Sequence, residues 1–289
     1  MLGRPSPDLL QVVERSGEVA GLRTLWLEAA PTGGGDGLPP ILYLHGNPVG
    51  SWIWEPFLQR TGGIAPDLPG FGRTAKPEAF DYSLSGYADF LERFAEERGL
   101  ERFSLVVHDI GAITGLVFAQ RIPERIERVV IGNHAPLLPG YRWHRFARIW
   151  RVRVLGELFM ATTTGFTFKR SLRPSSVRGL PDEFIARAWA DFDRGTRRAI
   201  LRLYRSMPEG VLARGGRNLG RIRCPALVLW STEDPYIGAE FGPAYADALS
   251  GDVEVEVYEN AGHWLWLDRP DVIETVVEFL DPASDGSPT

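Results

Sequence analysis

The sequence predicts an α/β fold, a mostly parallel sheet with helices on both faces and a further helical segment inserted late in the strand order. Three observations carry this expectation. Short apolar runs of strand character alternate with segments of helical periodicity from Pro40 to Leu280, the pattern of a parallel sheet joined by crossover helices. One of those runs, Phe103–Val107, passes into a helical segment through His108-Asp109-Ile110-Gly111 with no intervening loop. Residues 141–205 carry 15 Lys/Arg against 5 Asp/Glu, while the remainder carries 17 against 32. A shift of that size marks a segment with its own surface.

In chain order, Leu10–Arg15 and Val19–Glu28 read as two strands, and Thr32-Gly-Gly-Gly-Asp-Gly37 as a flexible turn. Pro40–His45 is an apolar run of buried-strand character. It ends in His45-Gly-Asn-Pro48, with a helix expected over Ser51–Arg60. Ile64–Asp67 is a short strand and Leu68–Thr74 a loop. Ser85–Arg98 has helical periodicity, with Ser85 as the expected N-cap and Gly99 just past the end. After the 103–108 strand, a helix over Ala112–Arg121 stops before Pro123, and Ile126–Ile131 is the next strand. After Asn133-His-Ala-Pro136 the pattern is helical and Arg-rich until about Ala213. Pro225–Trp230 restores the strand pattern. A helix over Ala239–Leu249, a strand at Val253–Tyr258, a loop at Asn260–His263 and a helix at Asp271–Leu280 close the chain. The last seven or so residues are expected to fray.

With 289 residues, 44% of them hydrophobic and nine Trp, the chain can bury one large α/β core with an insertion. The expected division is a core of 1–135 and 214–289 around an insertion of 136–213. No run approaches the ~18 apolar residues of a membrane span, and Met1–Pro7 lacks the apolar centre of a secretory signal. A cytoplasmic protein with no membrane partner is the expectation. A single Cys, Cys224, excludes an internal disulfide and gives no reason to invoke a metal or other cofactor. Net charge −5 carries no nucleic-acid footprint. The Arg-rich insertion reads as solvated helices, as a site for an anionic substrate, or as a docking face for an acidic partner or for another subunit in a homodimer.

A strand that turns at once into a helix is a nucleophile elbow, which holds the central side chain out at the carboxyl end of the sheet. Here that side chain is Asp109. Asp234 follows a later strand and His263 the last one. Taken singly, an Asp at a strand end is usually a helix cap, and a His in a Gly-rich loop is usually structural. Three in the order nucleophile, acid, His, each at a strand end where open α/β sheets bind ligands, reverse that balance.

His45-Gly-Asn-Pro48, Asp67-Leu-Pro-Gly-Phe-Gly72, Val107-His-Asp-Ile-Gly111, Glu233-Asp-Pro235 and Ala261-Gly-His-Trp264 together resemble the α/β-hydrolase superfamily, in the branch of the epoxide hydrolases and haloalkane dehalogenases. The resemblance spans nearly the whole chain. It implies the α/β-hydrolase fold, an eight-stranded and mostly parallel sheet with a helical cap after the sixth strand. It also implies a triad of Asp109, Asp234 and His263, with an oxyanion hole at the backbone N–H groups of Asn47 and Ile110. The expected partners are water and a small hydrophobic substrate.

A carboxylate has an ordinary pKa of about 3.9 and needs no base to attack. Attack on saturated carbon gives an alkyl ester, whereas attack on an acyl carbon would give a reactive anhydride. His263, oriented by Asp234, would then activate the water that hydrolyses the ester. The leaving group decides the substrate. An opening epoxide wants an acidic O–H, and Tyr204, in Leu203-Tyr-Arg205, resembles the family's cap tyrosine. The second donor is Tyr141, with Trp143, His144 or Trp150 as substitutes. Halide release wants N–H donors. Asn47 fits one, but Ile110 stands where a dehalogenase has Trp. Epoxide hydrolysis is therefore the first expectation, dehalogenation the second, and a non-catalytic ligand-binding role the third. His45, Trp52, Trp150 and Trp264 are the expected pocket walls, with Trp54 and Phe168 as further aromatic candidates.

Overall fold

The computed structural model describes residues 9–30 and 39–281. The turn expected at Thr32–Gly37, the Met1–Pro7 stretch and the C-terminal residues expected to fray lie outside the described residues. Strands β1 (Val13–Val19) and β2 (Leu22–Ala29) form an antiparallel hairpin. Its two turn residues, Ala20 and Gly21, both take positive φ, 51° and 75°, as a tight turn matched to strand twist requires. This turn fixes the register, so both strands begin later than their apolar runs suggest.

β3 (Ile41–Leu44) leads through a 3-10 turn at Ser51–Trp54 into α1 (Glu55–Thr61), and β4 (Gly63–Pro66) follows. Helix α2 (Leu84–Glu97) is capped by Ser83, whose hydroxyl accepts from the Gly86 N–H at 3.2 Å. Ser85, the expected cap, lies inside the helix and accepts from the Arg121 guanidinium instead. The two serines sit two positions apart, and the sequence pattern does not separate them. Gly99 takes φ 65° just past the helix, the usual glycine end.

β5 (Phe103–Val107) is buried along its whole length, as is α3 (Ile110–Ala119) apart from Val117. This pair is the centre of the core. β6 (Ile126–Ile131) pairs with β5 on one side, and β3 pairs with it on the other. Six helices then stand between β6 and β7: α4 (Arg145–Arg151), α5 (Leu155–Thr162), α6 (Gly165–Leu172), α7 (Asp182–Asp191), α8 (Arg194–Ser206) and α9 (Glu209–Gly215). The chain closes with β7 (Ala226–Ser231), α10 (Phe241–Ala248), β8 (Val253–Tyr258), α11 (Leu265–Asp268) and α12 (Asp271–Leu280). The short α11 has no counterpart in the sequence reading.

The sheet order is β1-β2-β4-β3-β5-β6-β7-β8, with β3 to β8 parallel. From β3 the chain crosses outward to β4, and from β5 it crosses the other way to β6. The loops after β3 and β5 therefore part at the middle of the sheet, the crevice where open α/β sheets take ligands. No helix among the described residues is long and apolar enough to cross a membrane.

Candidate active site

β5 ends at Val107 and α3 begins at Ile110, so His108 and Asp109 make the entire turn. Asp109 takes φ 49°, ψ −122°, a sparsely populated conformation that costs about 1–3 kcal/mol. Close backbone approach makes it fit. A Cβ on Gly46 would lie 2.5 Å from the Asp109 Cβ, and one on Gly111 would lie 2.3 Å from the Leu44 carbonyl oxygen. Neither position has room for a side chain. The Asp109 N–H donates to the Asn133 carbonyl at 2.9 Å, which ties the turn to the end of β6.

The Asp109 carboxylate is buried, and its Oδ2 accepts from the Asn47 backbone N–H at 2.7 Å. The same oxygen lies 3.9 Å from His263 Nε2. His263 Nδ1 donates to Asp234 Oδ2 at 2.8 Å. Asp234 Oδ1 accepts from the Tyr236 N–H, and its Oδ2 also accepts from the Asn133 side-chain amide at 3.0 Å. The structure thus brings together Asp109, Asp234, His263 and the Asn47 amide. The Ile110 N–H opens α3, where the first helical amides have no partner in their own helix.

Charge within the site is sharply divided. Burial disfavours the His263 imidazolium, but Asp234 and Asp109 on either side outweigh it and push its pKa up to about 10. Burial acts against ionisation of Asp109 too, yet the facing His263 holds its pKa below the ordinary carboxylate value. The other four of the five histidines are pushed the opposite way by burial. His108, down to about 3, donates from Nε2 to the His263 carbonyl at 2.8 Å. Because a carbonyl only accepts, this fixes the neutral tautomer. One imidazolium is therefore held between two carboxylates, over neutral rings.

Above Asp109 a pocket opens between the sheet and the inserted helices. Its walls are mainly aromatic and aliphatic, among them Phe146, Trp150, Phe159, Phe168, Ile200 and Trp264. Tyr204, on α8, lines it and accepts from the Asn47 side-chain amide at 3.3 Å. Burial raises the Tyr204 pKa well above the ordinary value, and the neighbouring Asp109 charge adds to this, so the phenol keeps its proton. Tyr141, Trp143 and His144 also line the pocket. Among the described residues no Lys or Arg lines it, so the basic side chains of the insertion stay off these walls.

Two expected wall residues are elsewhere. His45 lies under the loop, where its Nε2 accepts from the Leu68 N–H at 2.9 Å and its Nδ1 donates to the Gly46 carbonyl. Trp52 turns outward to donate to Asp191 at 2.9 Å and carries Arg187 on its ring face. His45 opens the His45-Gly-Asn-Pro48 stretch and Trp52 follows it, but the bends of the chain there point both away from the pocket. Trp54 is core packing, stacked on Trp266.

Sequence reasoning missed three residues. Tyr236 lines the pocket with its ring edge-on to His263, at 5.2 Å between centroids. Its place two residues after Asp234 was the available signal. Asn133 has a pattern signal as well, following β6 as Asp234 follows β7. Asp268, on α11, is fully buried and accepts from the N–H groups of Gly262, Val177 and Arg178 and from the Ser176 hydroxyl. It joins the His263 loop to the inserted segment, and nothing in the local sequence announces that.

Residues 41–276 match the model of the alpha/beta hydrolase family. The chain is 31% identical over 248 residues to haloalkane dehalogenase 1 of Mycobacterium tuberculosis, covering 80% of this chain and 79% of that one. It is 28% identical over 278 residues to a haloalkane dehalogenase of Mycolicibacterium paratuberculosis, covering 89% and 87%. Among solved structures, a haloalkane dehalogenase from Bradyrhizobium elkani superposes with a TM-score of 0.80 at 25% identity, over 93% of this chain and 98% of that one. The epoxide hydrolase CorEH superposes with a TM-score of 0.79 at 20% identity, over 94% and 99%, a likeness of fold.

Proposed function

The chain belongs to the alpha/beta hydrolase family, in the branch of the haloalkane dehalogenases and epoxide hydrolases, and on that premise we propose that it opens a small organic epoxide to a diol through an ester on Asp109. The observation that carries this reading is the Tyr204 hydroxyl. It lines the pocket with Asp109, stays protonated, and has its acceptor side filled by Asn47. Its proton is therefore the one to be given, and an opening epoxide oxygen is the group that needs it.

In the first step an Asp109 oxygen attacks an epoxide carbon as the ring C–O bond breaks, and Tyr204 protonates the departing oxygen. Oδ2, held by the Asn47 N–H at 2.7 Å, stays behind as the carbonyl oxygen of the ester, so Oδ1 is the attacking atom. Ester formation cancels the Asp109 charge, one of the two that raise the His263 pKa. The imidazolium then returns a proton to the Tyr204 phenolate and becomes a general base. His263 takes a proton from water, the hydroxide attacks the ester carbonyl, and the N–H groups of Asn47 and Ile110 meet the oxyanion on Oδ2. Collapse breaks the bond to Oδ1, which takes the remaining proton of the attacking water and leaves with the diol, restoring the Asp109 carboxylate and the His263 imidazolium.

Dehalogenation by the same ester is the second reading. The names of the curated relatives support it, as does the Trp150 indole N–H, which is buried in the pocket wall without a hydrogen-bond partner among the described residues. Against it, Ile110 has no side-chain donor. His263→Gln separates the readings. Intact mass after incubation with styrene oxide should show an adduct of the whole epoxide on Asp109. An adduct from 1-bromobutane alone, lacking bromine, would replace this reading with the second. A mass unchanged in both arms would favour a non-catalytic ligand-binding role.

A further inference from the structure

The described residues expose eight large apolar side chains, and five of them, Val152, Val154, Leu155, Leu158 and Phe166, fall within fifteen residues on the outer side of α4 to α6. Scattered exposed apolar residues need no explanation, but a cluster does. Val154 is 78% exposed and stands at φ 68°, a conformation that β-branched residues avoid. The turn before α5 thus holds an apolar side chain out into solvent. Val154 and Leu158 share a shallow groove with Arg153, Arg202 and Arg205. Its one acid, Glu157, is taken up in a two-pronged pair with Arg205. Arg153 in the groove and Arg148 in the last turn of α4 are exposed and make no ion pair among the described residues.

The same helices reach the pocket with their inner sides, through Phe159 and Thr163 at α5 and Thr167 and Phe168 on α6. Among the described residues that line the pocket, Thr167 alone is exposed. The α6 wall of the pocket therefore reaches the surface at Thr167, next to Phe166 of the apolar cluster.

We propose that this face docks on an anionic phospholipid surface and that apolar substrate passes from the membrane into the pocket at Thr167. Protruding apolar tips flanked by arginines match an acyl boundary beneath a negative headgroup layer. A second copy of the chain would have to bring acids to meet the same cations. The uptake half rests on the reaction proposed above, whereas docking does not.

Flotation with lipid vesicles tests docking without turnover. The wild-type chain should float with phosphatidylcholine vesicles containing about 30% phosphatidylglycerol, at least about tenfold more than with phosphatidylcholine alone, and should be released by salt near 0.5 M. The paired substitutions Leu158→Gln with Phe166→Gln, and Arg148→Gln with Arg153→Gln, should each reduce flotation about tenfold. Both should leave turnover of a short, water-soluble epoxide unchanged. Failure to float with either vesicle overturns the proposal, as does undiminished flotation of the paired variants. A wild-type dimer that Leu158→Gln with Phe166→Gln converts to monomer, with no flotation, would assign the face to a second copy and also overturn it. Flotation without any adduct on Asp109 would leave docking standing, and the uptake half would fall with the reaction.

Discussion

The Asn47 side-chain amide donates to the Tyr204 hydroxyl across 3.3 Å, and this contact couples the loop that holds the nucleophile to the longest of the inserted helices. Loss of one donor to a developing oxyanion costs about 10²–10³-fold in rate. Tyr204→Phe should therefore slow epoxide opening by that factor and leave bromide displacement nearly untouched. Rapid-quench kinetics of adduct formation in a His263→Gln background reads both. Equal slowing on the two substrates would mean that the ring matters and the hydroxyl does not.

His263 gives stability a pH dependence of definite sign. Its folded pKa of about 10 stands above the ordinary value of about 6.5. The stabilisation is thus fully present below pH ~6.5 and is lost as pH rises through about 10. Wild-type Tm should fall between pH ~6.5 and ~9.5, and His263→Gln should flatten that slope. Asp109→Asn, which removes one of the two facing carboxylates, should flatten it in part. Thermal unfolding of the three proteins across this range would expose a wrong assignment as three parallel curves.

Asp268 accepts four hydrogen bonds from backbone and hydroxyl donors while fully buried. Asp268→Ala leaves those donors without it, and each such loss carries a penalty of about 1–3 kcal/mol. Urea unfolding should show a loss of about 2–4 kcal/mol in all, with relaxation of the loop absorbing the rest. Turnover should drop because the His263 loop is no longer tied down. Asp268→Asn should recover part of both. An unchanged kcat with lowered stability would limit the residue to folding.

Gly111→Ala would drive a methyl to 2.3 Å from the Leu44 carbonyl. Relief requires α3 to move off β3, an overpacking cost of about 1–3 kcal/mol. Calorimetry should show this destabilisation together with slowed adduct formation, because Asp109 moves with the helix.

The central elements were legible because burial leaves a simple mark. β5, β6, β8 and α12 lie close to where their apolar patterns put them, and the order Asp109, Asp234, His263 follows from strand ends alone. Residues whose roles depend on where a loop bends were not legible. His45 and Trp52 flank the Asn47 loop yet point away from the pocket, and Asp268 acts across two segments far apart in the chain. Periodicity reads the face of a helix or strand, but it has nothing to say about an irregular loop. The charge of residues 141–205 was plain in the sequence. That it stays off the pocket walls depends on which side of each helix faces the sheet.

The Asn47 amide treats the two oxygens of Asp109 unequally, and under the proposed chemistry this gives the enzyme a memory one turnover deep. Oδ1 leaves with each product, and the oxygen of the hydrolytic water takes its place. A carboxylate unable to flip keeps its original Oδ2 through cycle after cycle. Each diol then carries oxygen from the water consumed in the cycle before its own. On transfer into heavy-oxygen water, the first product from every molecule would be light, the second heavy, and one light atom would stay behind in the protein.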